Sequence, residues 1–170
     1  RSMKILEIGP GLYSRYLFRD LPGSTYHTLD IESPLAATKG DICALPFSQG
    51  AFDLIICYHV LEHVADDRCA IRELRRVLGA NGRLLLQVPI EADTTREDPT
   101  ATDALSRLRL FGQEDHVRAY GCDFGSRISE AGLHFDVVDF ATQCSSEDMQ
   151  SYGLRRGEPT YVCRRDLGLT

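Results

Sequence analysis

A three-layer α/β sandwich with a mostly parallel sheet is the fold class this sequence predicts, on three observations. Short, near-continuous apolar runs of the kind found in strands buried on both faces alternate with segments of helical periodicity. A glycine turn joins the first apolar run to the first helical segment. The chain has 170 residues, the size of one domain, so residues 1–170 are expected to form a single unit around one sheet.

Each element has its own signal. Met3 to Ile8 (MKILEI) reads as a buried strand, broken by Gly9-Pro10-Gly11. Leu12 to Asp20 carries a helical apolar pattern and stops at Pro22-Gly23. Thr25 to Asp30 is a second strand that ends on an acid, and Asp41 to Pro46 is a short connector. Phe52 to Cys57 (FDLIIC) is a near-continuous apolar run, as expected of a strand buried on both faces. Asp66 to Leu78 is the clearest helix: Cys69, Ala70, Ile71, Leu74, Val77 and Leu78 recur at helical spacing, and acids occupy the first turn, where the macrodipole favours them. Asn81-Gly82 predicts a turn and Arg83 to Val88 another strand. Cys122 to Ala131 reads as a helix, Leu133 to Phe140 as a strand and Thr160 to Arg164 as a short terminal strand.

Residues 90–121 differ from the rest. They are polar, rich in Thr and Asp, with a modest apolar patch at Leu105, Leu108 and Leu110. This stretch of 32 residues far exceeds the usual connection of about 2–6 in such units. It follows a predicted strand at the end of the sheet where ligands bind, so it is expected to be an inserted lid on the substrate side.

Composition excludes several classes. Apolar residues make up 43% of the chain, enough for a sizeable core, and the formal net charge is -6. An acidic domain has no general attraction for phosphate backbones or anionic lipids. Arg72, Arg75 and Arg76 on the clearest helix, and Arg155-Arg156 and Arg164-Arg165, lack interleaved aromatics and read as solvated faces, not a nucleic-acid surface. No apolar run reaches the roughly 20 residues that span a bilayer, and no secretory leader is visible. The six cysteines form no C-x-x-C pair, so a reduced, cytoplasmic setting is expected.

The turn Glu7-Ile8-Gly9-Pro10-Gly11 lies where the first strand gives way to the first helix. Glycines there let backbone N–H groups approach a ligand at the positive end of a helix. Asp30 follows 23 positions after Glu7, at a strand end, where an acid suits the two hydroxyls of a ribose. Asp41-Ile42 offers a carboxylate for an adenine amine and a side chain for its face. A nicotinamide dinucleotide would call for G-x-G-x-x-G, but Ser14 stands in the third glycine's place and Pro10 removes an N–H that a pyrophosphate would use. A nucleotide-dependent oxidoreductase is therefore the weaker reading, and a ligand without a pyrophosphate the stronger.

These segments together resemble the class I methyltransferases that use S-adenosylmethionine (SAM). L-E-I-G-P-G resembles their first motif, and Phe52 to Val64 with Arg72 to Pro89 is similar to their fourth strand, the helix after it and their fifth strand. The stretch from Phe111 to Gly121, with the D-F and A-G-L-H-F that follow, is similar to a bacterial, type 11-like branch. The resemblance implies a Rossmann-like, seven-stranded sheet with an antiparallel last strand near Thr160 to Arg164. It places Glu7, Gly9 and Gly11 at the methionine end of SAM, Asp30 at the ribose, Ile31 beside the adenine, and Asp41 and Ile42 around it. Cys57, Tyr58 and His59 would line the sulfonium side. Tyr13 departs from the pattern, standing where the family often has a third glycine.

The expected reaction is methyl transfer from SAM to a small-molecule acceptor, leaving S-adenosylhomocysteine. His59 is a candidate base beside the methyl group. His116, in E-D-H-V-R-A-Y, has neighbouring acids to orient it, and with Arg118 and Tyr120 it would suit a hydroxyl or acidic acceptor; a loop held by its own hydrogen bonds is the other reading. His59-Val60-Leu61-Glu62-His63 matches the H-x-x-E-H of some zinc hydrolases, and in a helix His59 and His63 would share a face. No third ligand is evident in sequence, so catalysis is expected to need no metal. A non-catalytic module that binds SAM or a partner remains the alternative.

Overall fold

The computed structural model describes residues 2–152 and 157–166; the Arg155-Arg156 pair lies outside them. Seven strands form one sheet: β1 (Met3–Ile8), β2 (Ser24–Asp30), β3 (Thr38–Lys39), β4 (Phe52–Tyr58), β5 (Leu78–Gln87), β9 (Leu133–Val138) and β10 (Thr160–Arg165), in the spatial order β3-β2-β1-β4-β5-β10-β9. β1, β2, β3, β4 and β5 pair in parallel, and β10 is antiparallel to both β5 and β9. This is the predicted sheet, including its antiparallel terminal strand.

The strands are apolar on both faces because both faces are covered. Ile5, Leu6 and Ile8 in β1 and Ile55, Ile56 and Cys57 in β4 are all buried. Burial of one such aliphatic side chain contributes about 1.5–3 kcal/mol. The central helix α2 (Asp67–Val77) supplies Ala70, Ile71, Leu74 and Val77 to the same core, and Asp66 caps it by accepting from the Cys69 N–H at 2.8 Å. The first helix, α1 (Leu12–Arg19), buries none of its residues; Leu12, Tyr13, Tyr16 and Leu17 are exposed along it.

Two predicted boundaries shift. β5 begins at Leu78, running through Asn81-Gly82 where a turn was expected, because the pairing of β4 and β5 slips between Phe52 and Leu54 and absorbs the irregularity as a bulge. The helix expected over 122–131 is α4 (Phe124–Glu130), preceded by a strand.

Residues 90–121 build a small sheet of their own, which the sequence did not announce. Its strands are β6 (Ile90–Ala92), β7 (Arg96–Glu97) and β8 (Arg118–Gly121), with β8 in the middle, and helix α3 (Ala104–Phe111) lies between β7 and β8. Ala101, Phe111 and Ala119 form a satellite core beneath it. Gly121 is glycine because a Cβ there would lie 2.3 Å from the Thr94 carbonyl carbon, where the chain crosses over.

Candidate functional site

Because β1 and β2 are parallel neighbours in register, Ile8 opposite Leu29, their carboxyl ends deliver Gly9 and Asp30 side by side. Gly9 has φ +64, and a Cβ on it would meet Val60 Cγ2 at 2.8 Å and Asp30 Oδ2 at 3.8 Å. Only glycine turns the backbone that way at so close an approach. Gly11 is extended and caps α1. Asp30 is held by two backbone donors, the N–H groups of Glu32 and Ser33, each 2.7 Å from Oδ1, which leaves Oδ2 on the Gly9 side.

Glu7 is buried under the turn. Ser14 donates its hydroxyl to Oε1 at 2.5 Å, and Tyr26 donates to Oε2. Burial, then the Glu7 charge, pushes the Tyr26 phenol far above its ordinary range, so it stays a donor. Ser14 and Tyr26 were not singled out in sequence; Ser14 was noted only as a missing glycine, and its hydroxyl anchors the acid of the turn.

The other sequence-predicted residues divide into two groups. Ile31 is 69% exposed beside Asp30, and Asp41 is exposed at the start of a short turn of helix, accepting from the Cys43 N–H at 2.8 Å. His59, 47% exposed at its side chain, lies just past β4 with φ +53, a left-handed conformation rare outside glycine and most often found where the surroundings impose it. Its N–H donates to Gln87 O at 2.9 Å. Tyr58 is half-buried, its phenol pushed up by burial against the opposing effect of a hydrogen bond with Thr160.

Four more of the predicted site residues are buried. Ile42 and Cys57 belong to the main core, and burial pushes the Cys57 thiol far up. Tyr120 is 0% exposed, and its hydroxyl donates to Asp67 Oδ2 at 2.7 Å. Burial and the Asp67 charge raise its phenol well out of reach of base chemistry. His116 is buried too.

Tyr120 and Arg118 instead form part of a buried network that docks the insertion. Arg118 donates to the carbonyls of Leu61 at 2.7 Å, Ala65 at 2.8 Å and Val64, and to Glu97 Oε1 at 2.7 Å. Arg127 on α4 donates to both oxygens of Asp67, at 2.9 and 2.7 Å, and reaches Glu97 at 3.1 Å. Asp67 therefore serves Tyr120, Arg127 and, at 3.7 Å, Arg118. This network shapes the turn that carries His59, Glu62 and His63. That turn contains a 3-10 segment, Leu61–His63, not the regular helix that would align His59 with His63.

Comparison with known proteins agrees with this architecture. Residues 6–86 match the methyltransferase domain family described as Methyltransf_11. An uncharacterized methyltransferase, YcgJ of Bacillus subtilis, is 32% identical over 116 residues, covering 68% of this chain and 40% of its own. Ajmaline N-methyltransferase of Rauvolfia serpentina is 28% identical over 123 residues, 71% of this chain and 42% of its own, so the chain spans about two-fifths of either relative. The crystal structure of YcgJ superimposes with a TM-score of 0.64 at 20% identity over 97% of this chain and 93% of that one. The glycine turn, the strand-end acid and the antiparallel terminal strand accompany that match, and residues 6–86 carry the methyltransferase domain of the Methyltransf_11 family.

Proposed function

We propose that this domain binds SAM across the ends of β1, β2 and β4 and transfers its methyl group to a small-molecule acceptor. The observation that carries the reading is the convergence of Gly9 and Asp30: a left-handed glycine with no room for a Cβ, and a carboxylate whose Oδ2 faces it. The residues fit the cofactor. Glu7 lies under the turn at the methionine end, Gly9 and Gly11 let the backbone come close, and Asp30 accepts from the ribose hydroxyls. Ile31 and Asp41 flank the adenine. SAM supplies a sulfonium-activated methyl group, so the protein's work is alignment and exclusion of water. His59, exposed at the end of β4 with Glu62 Oε1 3.4 Å from its Nδ1, is the side chain placed to take a proton from a hydroxyl acceptor. The insertion at 90–121 closes the acceptor side, since it grips the turn after β4 through Arg118.

Calorimetry tests the cofactor reading directly. The protein is expected to bind SAM and S-adenosylhomocysteine, and Asp30→Ala to weaken both by about 1.5–3 kcal/mol, the scale of hydrogen bonds to a charged group. A wild-type protein that fails to bind SAM, or a mutant of unchanged affinity, rules the reading out.

A further inference from the structure

The turn after β4 brings together three groups, of which the reaction above uses only Glu62, through its contact with His59. Glu62, His63 and His116 each offer a ligand atom, and those atoms all lie within 4.8 Å of one another. His116 arrives from the insertion, 53 positions after His63, which is why the H-x-x-E-H pattern showed no third ligand in sequence. The backbone holds the pair of segments together: the Val117 N–H donates to Glu62 O at 2.9 Å. The His63 and His116 rings meet edge to face, centroids 4.8 Å apart.

A second observation points to a ligand. Glu62 is 1% exposed, and its Oε2 is fully buried without a hydrogen-bond partner, one of two such side-chain atoms among the described residues. A buried polar atom left unpaired is costly, more so when it carries charge, and asks for an unseen water or ion. Oε1, by contrast, faces His59. The surroundings also suit a metal. Asp115 Oδ2 lies 3.3 Å from His63 Nδ1, the carboxylate–histidine arrangement that orients an imidazole so that Nε2 is presented to an ion. His63 is 35% exposed at its side chain, which leaves a route in from solvent.

We propose that Glu62, His63 and His116 bind one divalent transition-metal ion of the zinc class. Two imidazoles and one carboxylate suit zinc, cobalt or ferrous iron over magnesium or calcium, and three protein ligands leave a coordination position open. Zinc bonds of roughly 2.0–2.1 Å need the donors to draw together somewhat. The ion cross-links the turn after β4 to the insertion. The site shares no residue with those proposed to hold SAM, so zinc binding and SAM binding are testable independently.

Zinc titration of the whole chain at neutral pH is expected to show one ion per chain and a raised melting temperature. Glu62→Gln and His116→Ala should each weaken zinc binding at least ~tenfold, and Asp115→Asn by roughly tenfold or more, in the range for partners that orient a ligand. His134→Ala, at an exposed histidine in β9, should bind as wild type. Wild-type protein loaded with cobalt should show ligand-field bands without thiolate charge transfer, a readout that holds even where a variant fails to fold. Failure to bind zinc at millimolar concentration, unchanged affinity in both ligand variants, or a thiolate band pointing to cysteine ligands would overturn the proposal.

Discussion

Glu97 shows how a residue on the rim of a buried network sets a pH limit. Its carboxyl is held down to about 2, against an ordinary 4.5, by its hydrogen bond from Arg127 and then that from Arg118, over the opposing effect of burial. A depressed carboxyl contributes stability above the ordinary value and loses it as pH falls through the folded one. Urea unfolding is therefore expected to show stability falling from about pH 4.5 towards 2, and Glu97→Gln to flatten that fall. Glu97 is 41% exposed at its side chain, so the change is a fraction of what a buried pair would give. The same residues mark what sequence could say at this scale. Gly9 and Asp30 were legible because neighbouring parallel strands must bring their ends together. Arg118 and Tyr120 were legible as important but not as structural, since Asp67, their partner, lies more than 50 positions away on another element.

Among the elements, the insertion depends most on a single position. In β8, Gly121 leaves no space for a methyl group against the backbone at Thr94. Its N–H donates to Thr95 Oγ1 at 3.1 Å, and Thr95 in turn donates its N–H and hydroxyl to Asp123 at 2.7 Å each. Gly121→Ala is expected to cost about 1–3 kcal/mol as overpacking and to open the 93–96 crossing to limited proteolysis, with the main sheet unchanged by circular dichroism. Long apolar strands and the strongly periodic α2 were readable from periodicity alone. The strands of the insertion have two to four residues each, too few for an alternation to emerge, and a helix at Ser146–Tyr152 carried too little apolar signal to be foreseen. α1 shows the converse: its apolar spacing predicted the helix correctly, yet its stripe of Leu12, Tyr13, Tyr16 and Leu17 is exposed.

Across the whole molecule, the architecture was legible as an alternation of strands and helices, and the antiparallel terminal strand followed from the family resemblance. What remained hidden was how tightly the insertion is joined to the sheet domain. Asp67 is the shared acid of two buried guanidiniums and a phenol. Removing one member of a buried ionic cluster typically costs 3–5 kcal/mol, because it leaves charge without compensation. Asp67→Ala is accordingly expected to lower the stability of the entire domain by about that much in a single cooperative transition. A separate early transition confined to residues 90–121 would show instead that the insertion is an independent unit.

The three carbonyls captured by Arg118 bear on re-engineering this scaffold. They belong to the turn that presents His59 and Glu62, so the backbone course at the proposed reaction centre is set by an arginine lent from the insertion. A chimera that exchanges residues 90–121 for a relative's segment alters the turn that carries His59 as well. Recombination that respects this structure would transfer the segment together with Asp67 and Arg127, moving the arginine's seat along with the arginine.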